Sequence, residues 1–199
     1  MSERAPVREH VPLRERKQQR AREQIVAAAF ELFAERGFAA VTVADIAERA
    51  EVGRTTFFRY FGDKQEVVFS DEQAMVEALT ERYRSAAPVT DLPGAVAQLR
   101  EIVVELCREL TADGEHFRAH DRLLRENAEL RDRAARKFAG LCEAFEAMLL
   151  ERGAAAGVAA LAPRLAWACY AAGDALAAGD PAVLPDAVDG AFARLGELG

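Results

Sequence analysis

The chain has 199 residues, 51% of them hydrophobic, and a formal net charge of −7; that is enough for one large packed domain or two small ones. No run of about 18 uncharged apolar residues occurs, which excludes a membrane-spanning helix, and the charged N-terminus lacks an apolar signal core, so a cytoplasmic protein is expected. The charge is unevenly placed: residues 1–22 hold 7 basic and 3 acidic side chains, residues 1–64 hold 12 and 10, and residues 65–199 hold 14 and 23, a pattern that suits one end to a polyanion and equally suits a solvated tail.

Residues 1–17 lack apolar periodicity and are interrupted by Pro6 and Pro12; they read as a disordered basic arm. From about Gln18 the pattern turns helical. Ile25, Ala29, Leu32 and Phe33 share one face, and Gly37 stops the helix in the left-handed position, with Phe38 placed to pack back on Phe33. Thr42 is the next N-cap, with Asp45 three residues on as an approximate capping box and Val41 and Ile46 as a hydrophobic staple. A short helix over about 43–50, a turn at Ala50 to Gly53 and a second short helix over about 54–61 follow, ended by Gly62. Asp63 caps a long helix expected to run to about Arg84, with Glu66 at N3.

Beyond Pro88 and Pro93 the helices lengthen. Leu99, Val103, Leu106 and Leu110 mark one, and a shorter one lies near Phe117 to Leu124. Asn127 can cap a helix carrying Ala134, Phe138, Leu141, Cys142, Phe145 and Leu149. Leu161, Leu165, Cys169, Ala172 and Leu176 mark the next, at roughly 157–178, and Val188, Phe192 and Leu195 the last, at roughly 185–198. No strand and no internal repeat is evident. Cys107, Cys142 and Cys169 are odd in number, far apart and all within helical patterns, so they read as buried reduced thiols.

The stretch V-G-R-T-T-F-F-R-Y-F-G-D-K, Val52 to Lys64, mixes four aromatic rings with three cations. On a helix over 54–61, Phe57 and Phe61 share a face and belong to a core with Val52, Ile46 and Phe33, while Arg54, Thr55, Thr56 and Arg59 point elsewhere. Two short helices joined by a tight turn, the second polar at its start, are a helix-turn-helix signature. The free N–H groups there can hold phosphate, and Arg and Thr can reach base edges. The same residues also suit an ordinary surface helix of a bundle.

The stretch from Ile25 to Val68 resembles the DNA-binding domain of the TetR/AcrR family of transcriptional regulators. The matching runs are I-V-A-A-A-F-E-L-F-A-E-R-G-F, T-V-A-D-I-A-E-R-A and V-G-R-T-T-F-F-R-Y-F-G-D-K-Q-E-V; the rest of the chain matches only in length and helical character. The resemblance implies an all-α fold: an N-terminal three-helix helix-turn-helix domain over 18–64, joined to a C-terminal helical domain over 65–199 that binds a ligand and dimerises. It implies that Thr42 holds a phosphate with Val43 and Ala44 near the groove edge. Arg54, Thr55 and Thr56 would face the major groove, and position 58, Tyr60 and Lys64 would contact phosphates. Ala47 is small where the two helices approach. Two departures stand out. The family usually has glycine where this chain has Glu51; a left-handed glutamate costs about 1–2 kcal/mol, with Gly53 available to share the bend. It commonly has tyrosine where this chain has Phe58, which leaves one phosphate contact in doubt.

In the family the C-terminal half binds a small molecule, and its last two long helices pair with their mates in a four-helix bundle. A second stripe on the helix near 157–178, Trp167, Tyr170 and Asp174, fits a helix with two partners. Cys107, Phe117, Phe138, Cys142, Phe145, Trp167 and Tyr170 are the candidate pocket residues, though each reads more readily as plain core than as a ligand contact, and the scarcity of ionisable groups among them suits a largely apolar ligand. His116 and His120 are four apart with Asp121 adjoining, but no third ligand is evident, so no metal is expected. No nucleophile-and-base motif, Walker loop or dinucleotide glycine pattern is present, so neither an enzyme nor a cofactor is expected. The reading is a homodimeric repressor of an inverted-repeat operator, released by a ligand. The alternatives are an activator, a regulator without an effector, or a helical interaction module or enzyme with a vestigial helix-turn-helix.

Overall fold

In the computed structural model, which describes residues 13–70, 76, 80, 81, 83, 84 and 87–197, the chain divides into two units, Met1–Ser70 and Asp71–Gly199. Every regular element among the described residues is helical. The N-terminal unit holds α1 (Leu13–Arg36), α2 (Val43–Arg49), α3 (Arg54–Tyr60) and α4 (Lys64–Val68). The C-terminal unit holds α5 (Leu92–Leu110), α6 (Gly114–Glu126), α7 (Ala128–Glu151), α8 (Ala156–Ala177) and α9 (Leu184–Gly196).

The first helix begins at Leu13, five residues before the expected start, so residues 13–17 belong to α1 and not to the arm. The run L-R-E-R-K-Q-Q-R consists of strong helix formers; it lacks an apolar face, and periodicity alone cannot see such a helix. Residues 1–12 of the expected arm lie outside the described residues. At the other end, Gly37 takes a φ of 76° and its N–H donates to the carbonyl of Phe33 at 2.9 Å, the left-handed stop that glycine makes without strain. Phe38 packs on Phe33 with ring centroids 5.0 Å apart, as expected.

Thr42 and Asp45 form a complete capping box at the start of α2, which satisfies two N–H groups that the first turn otherwise leaves without partners. Val41 and Ile46, the expected staple, are both buried. On the outside, Arg49 donates to Glu31 and Glu35, which pins α2 to α1. This guanidinium holds the Glu35 carboxyl below its ordinary range. Asp63 caps α4 through the N–H of Glu66, but α4 closes at Phe69 after five residues. The single long helix expected to reach Arg84 is therefore not continuous; Val76, Thr80, Glu81, Tyr83 and Arg84 are again helical.

Glu51 sits in the turn between α2 and α3 with a φ of 53°. Gly53 does not share the bend: it is the N-cap of α3 in ordinary extended backbone, φ −72° and ψ 150°. The whole left-handed cost therefore falls on the glutamate. Glu51→Gly relieves about 1–2 kcal/mol of it and gives back about 0.4–1 kcal/mol through the freer unfolded chain. The expected result is a net stabilisation of about 0.5–1 kcal/mol, seen as a small rise in the melting temperature of the N-terminal unit.

In the C-terminal unit α8 is the centre: it packs on α5, α7 and α9, and α9 also packs on α5. Arg100 of α5 binds Asp189 of α9 through two hydrogen bonds of 2.6 and 2.7 Å, and Arg164 of α8 reaches Glu146 of α7 at 2.7 Å. The faces of α8 differ from the expected ones. Its core side is Ala159, Ala162, Ala166, Cys169, Gly173 and Ala177, all buried, and their small size lets the neighbouring helices come close. Of the row that marks this helix in the sequence, only Cys169 is buried. Leu161 and Leu176 are 44% and 60% exposed, Ala172 is exposed and Leu165 is half-buried. Trp167 and Tyr170, the second stripe, turn inward on Phe138 of α7.

Candidate nucleic-acid interface and ligand cavity

The two sides of α3 separate cleanly. Phe57 is fully buried, with Phe61 at the C-cap 5.8 Å away, and Ala47 of α2 is buried beneath the turn, its carbonyl accepting from the N–H of Val52 at 2.9 Å. Arg54, Thr55, Phe58 and Arg59 are exposed, and Thr56 and Tyr60 are half-buried at the edge. The Arg59 guanidinium lies over the Tyr60 ring, 5.0 Å from its centroid, and donates to the phenol oxygen at 3.3 Å. On α2 and its cap, Thr42 and Ala44 are exposed and Val43 half-buried. The backbone N–H of Thr42 donates to Asp45 Oδ2 at 2.8 Å and its hydroxyl donates to the same atom. These bonds hold the Asp45 carboxyl below its ordinary range, with Arg36 a smaller cause. The hydroxyl proton of Thr42 is thus already engaged.

Lys64 is the clearest departure from expectation. Its Nζ donates to the carbonyls of Phe38 at 2.7 Å and Val41 at 2.9 Å, with Ala39 at 3.5 Å, and it lies over the Phe38 ring at 4.4 Å. An ammonium has three protons, and here all three have backbone acceptors in the turn between α1 and α2. The partners lie 23 to 26 residues away and are backbone atoms, which no side-chain pattern reveals.

In the C-terminal unit a cavity of about 50 Å³ lies between α5, α7 and α8. Five of the seven candidate pocket residues meet there: Phe138, Cys142, Phe145, Trp167 and Tyr170. Phe138 and Trp167 stack at 3.7 Å, and Trp167 and Tyr170 at 5.2 Å. Cys107 and Phe117 do not line it; both are buried in the main core of the unit. The walls that sequence reasoning missed are Leu99, Val103, Leu106, Leu141, Pro163 and Ala166. Of these only Pro163, a proline inside α8, carries a signal, because it removes one helix hydrogen bond beside the cavity.

All three cysteines are free thiols. Burial raises each of them, Cys107 up to about 12, with the nearby Asp174 carboxylate adding to it, so none is a ready nucleophile. Burial, then repulsion from Asp121, also raises the Asp174 carboxyl, against the opposing effects of Arg125 and His120. Among the described residues no group of three potential metal ligands occurs, and no helix is long and apolar enough to cross a membrane.

Residues 25–70 match the family model described as bacterial regulatory proteins, tetR family. The chain is similar to the transcriptional regulator TcmR of Streptomyces glaucescens, 39% identical over 87 residues that cover 42% of this chain and 38% of that protein. It is also similar to TtgR of Pseudomonas putida, 32% identical over 117 residues that cover 57% and 53%. The chain thus spans about half or less of the length of these curated relatives. Among solved structures, the fold is similar to that of SmeT, the repressor of the Stenotrophomonas maltophilia multidrug efflux pump SmeDEF, in its triclosan complex. The TM-score is 0.57 with 22% identity, over 87% of this chain and 90% of that one. Thermus thermophilus FadR in complex with lauroyl-CoA gives a TM-score of 0.52 with 22% identity, over 87% and 92%. The relatives named are regulators.

Proposed function

We propose that this chain, whose N-terminal domain is that of a tetR-family regulator, is a cytoplasmic transcriptional repressor, not an enzyme, that a small apolar ligand releases from its operator. The observation that carries the reading is the division of α3: a buried aromatic side fixes the helix, and Arg54, Thr55 and Arg59 stand exposed on the other. That arrangement presents donors to base edges and phosphates from a rigid support. The test is binding to the DNA upstream of the chain's own gene, titrated at several salt concentrations. A retarded complex whose affinity falls with salt is expected; no complex at low salt favours a vestigial helix-turn-helix. Within this reading Arg54→Ala should relax base preference at one position of each half-site at a cost of about 1–3 kcal/mol, which selection from a random DNA pool reads directly.

The ligand side rests on the aromatic cavity. Its volume of about 50 Å³ is far below the roughly 300–1,000 Å³ of a filled small-molecule site, so a ligand enters only if Phe138 and Trp167 part. Their separation moves α7 against α8, and a ligand that binds the opened state better shifts the population toward it. SmeT bound to triclosan and FadR bound to lauroyl-CoA support an effector with a large apolar part.

The row on α8 formed by exposed Leu161, Ala168, Ala172 and Leu176 with half-buried Leu165 recurs at spacings of four and three and so forms one face. Its occupant in this reading is the same row of a second copy, related by a two-fold axis. Light scattering at micromolar concentration should give a dimer, and Leu176→Arg a monomer; a monomeric parent chain contradicts the pairing.

A further inference from the structure

We propose that Phe58 reads sequence, by packing its ring on the 5-methyl group of a thymine in the major groove. The inference rests on the DNA-binding reading above and goes beyond it. At about 100° per residue around the helix, Arg54, Phe58, Thr55 and Arg59 fall in that order across the exposed side of α3, opposite buried Phe57. Phe58 therefore stands between Arg54 and Thr55, in the middle of the face and not at its edge. It is 54% exposed, and it is the one exposed aromatic side chain among the described residues. Its ring meets that of Phe57 edge-on, at 5.5 Å and 84°. One side is thus anchored to the core of the domain while the other faces outward.

A phenyl ring has no donor for a phosphate oxygen, so an electrostatic contact with the DNA backbone is closed to it. Of the groups that base pairs present in the major groove, the thymine methyl is the apolar one. Arg54, Thr55 and Arg59 supply polar partners on either side of the ring. An apolar ring held between them favours a T·A pair over any pair that offers a polar group at that place, because burying an amine or carbonyl against the ring leaves it without a hydrogen bond.

The experiment begins with selection of bound sequences from a random pool by the full-length protein. In the selected site each thymine is then replaced in turn by deoxyuridine, which removes only the methyl group. One thymine per half-site should lose about fourfold in affinity on replacement, the equivalent of one buried methyl group. Phe58→Ala should bind the thymine and deoxyuridine sites equally, and Phe58→Leu, which keeps apolar surface, should retain part of the difference. Melting temperatures should fall only modestly in Phe58→Ala, by the loss of the edge contact with Phe57, and less in Phe58→Leu, so that a change in base preference is read on folded protein. An enriched site that no deoxyuridine weakens overturns the inference while leaving DNA binding in place, as does a Phe58→Ala protein that remains equally sensitive to the methyl. A Phe58→Tyr protein that gains equally on selected and random DNA, with no methyl effect in the parent, places the ring on the phosphate backbone and overturns it too. Enrichment of no sequence overturns both this inference and the reading beneath it.

Discussion

Gly173→Ala should destabilise the C-terminal unit, although alanine is the better helix former. Gly173 lies inside α8 where α9 crosses it. A Cβ built there falls 2.5 Å from Cγ2 of Val188 and 2.6 Å from both its Cα and its backbone N. The methyl can rotate away, but the backbone atoms cannot, so the helices must separate. Overpacking of this kind costs roughly 1–3 kcal/mol and occasionally more, and with backbone as the obstacle the upper end applies. Helix propensity returns about 1 kcal/mol. The net loss is about 2 kcal/mol, or about 8 °C in the melting temperature of a domain this size. Gly140 of α7 is the control. It is exposed, and nothing lies within 4 Å of the position of its Cβ, so Gly140→Ala should gain about 0.5–1 kcal/mol from propensity alone. Differential scanning calorimetry of both variants decides: a Gly173→Ala protein as stable as the parent means that α8 and α9 do not approach as described.

The same position shows where sequence reasoning stops. The caps and stops were legible because their chemistry is local: Thr42 and Asp45 are three residues apart, Gly37 follows the last turn of α1, and Asp63 precedes Glu66 by three. The two sides of α3 were legible for the same reason, since Phe57 and the polar residues differ in kind. On α8 the rule that large apolar residues face inward failed. There the buried residues are alanines, Pro163, Cys169 and Gly173, and leucines are left for the outside, because α9 approaches to backbone distance at Gly173. Small residues carry little hydrophobic weight, so periodicity favours the wrong face. The cavity was half legible. Its rings stood out, but Leu99, Val103 and Leu106 look like any other core leucine or valine until the helices are placed. Glu51 was legible as a departure from the family's glycine, and its φ of 53° makes it a strained position, but only the backbone shows that Gly53 takes none of the strain.

Lys64→Met should melt the N-terminal unit early and weaken DNA binding without changing how that binding responds to salt. Methionine keeps an apolar stem of similar length over the Phe38 ring but removes the three donors. The carbonyls of Phe38 and Val41, which accept from Nζ at 2.7 and 2.9 Å, then lose a charged partner. Hydrogen bonds to charged groups contribute roughly 1.5–3 kcal/mol each; both sites are only part-buried, so water restores some of this. The cation over the ring adds about 0.5–1 kcal/mol at such a site. A total loss of about 2–3 kcal/mol lowers the melting temperature of a domain of some 60–70 residues by about 10–20 °C. The turn that Lys64 holds sets where Thr42 caps α2, and α2 in turn supports α3, so the loss reaches the DNA-facing helix through the fold. A phosphate-binding lysine behaves differently: its removal leaves the melting temperature unchanged and lowers the salt dependence of binding by about one ion. Thermal melting and a salt titration on the one variant separate the two roles. An unaltered melt with a shallower salt slope returns Lys64 to the DNA backbone and makes its bonds to the turn incidental.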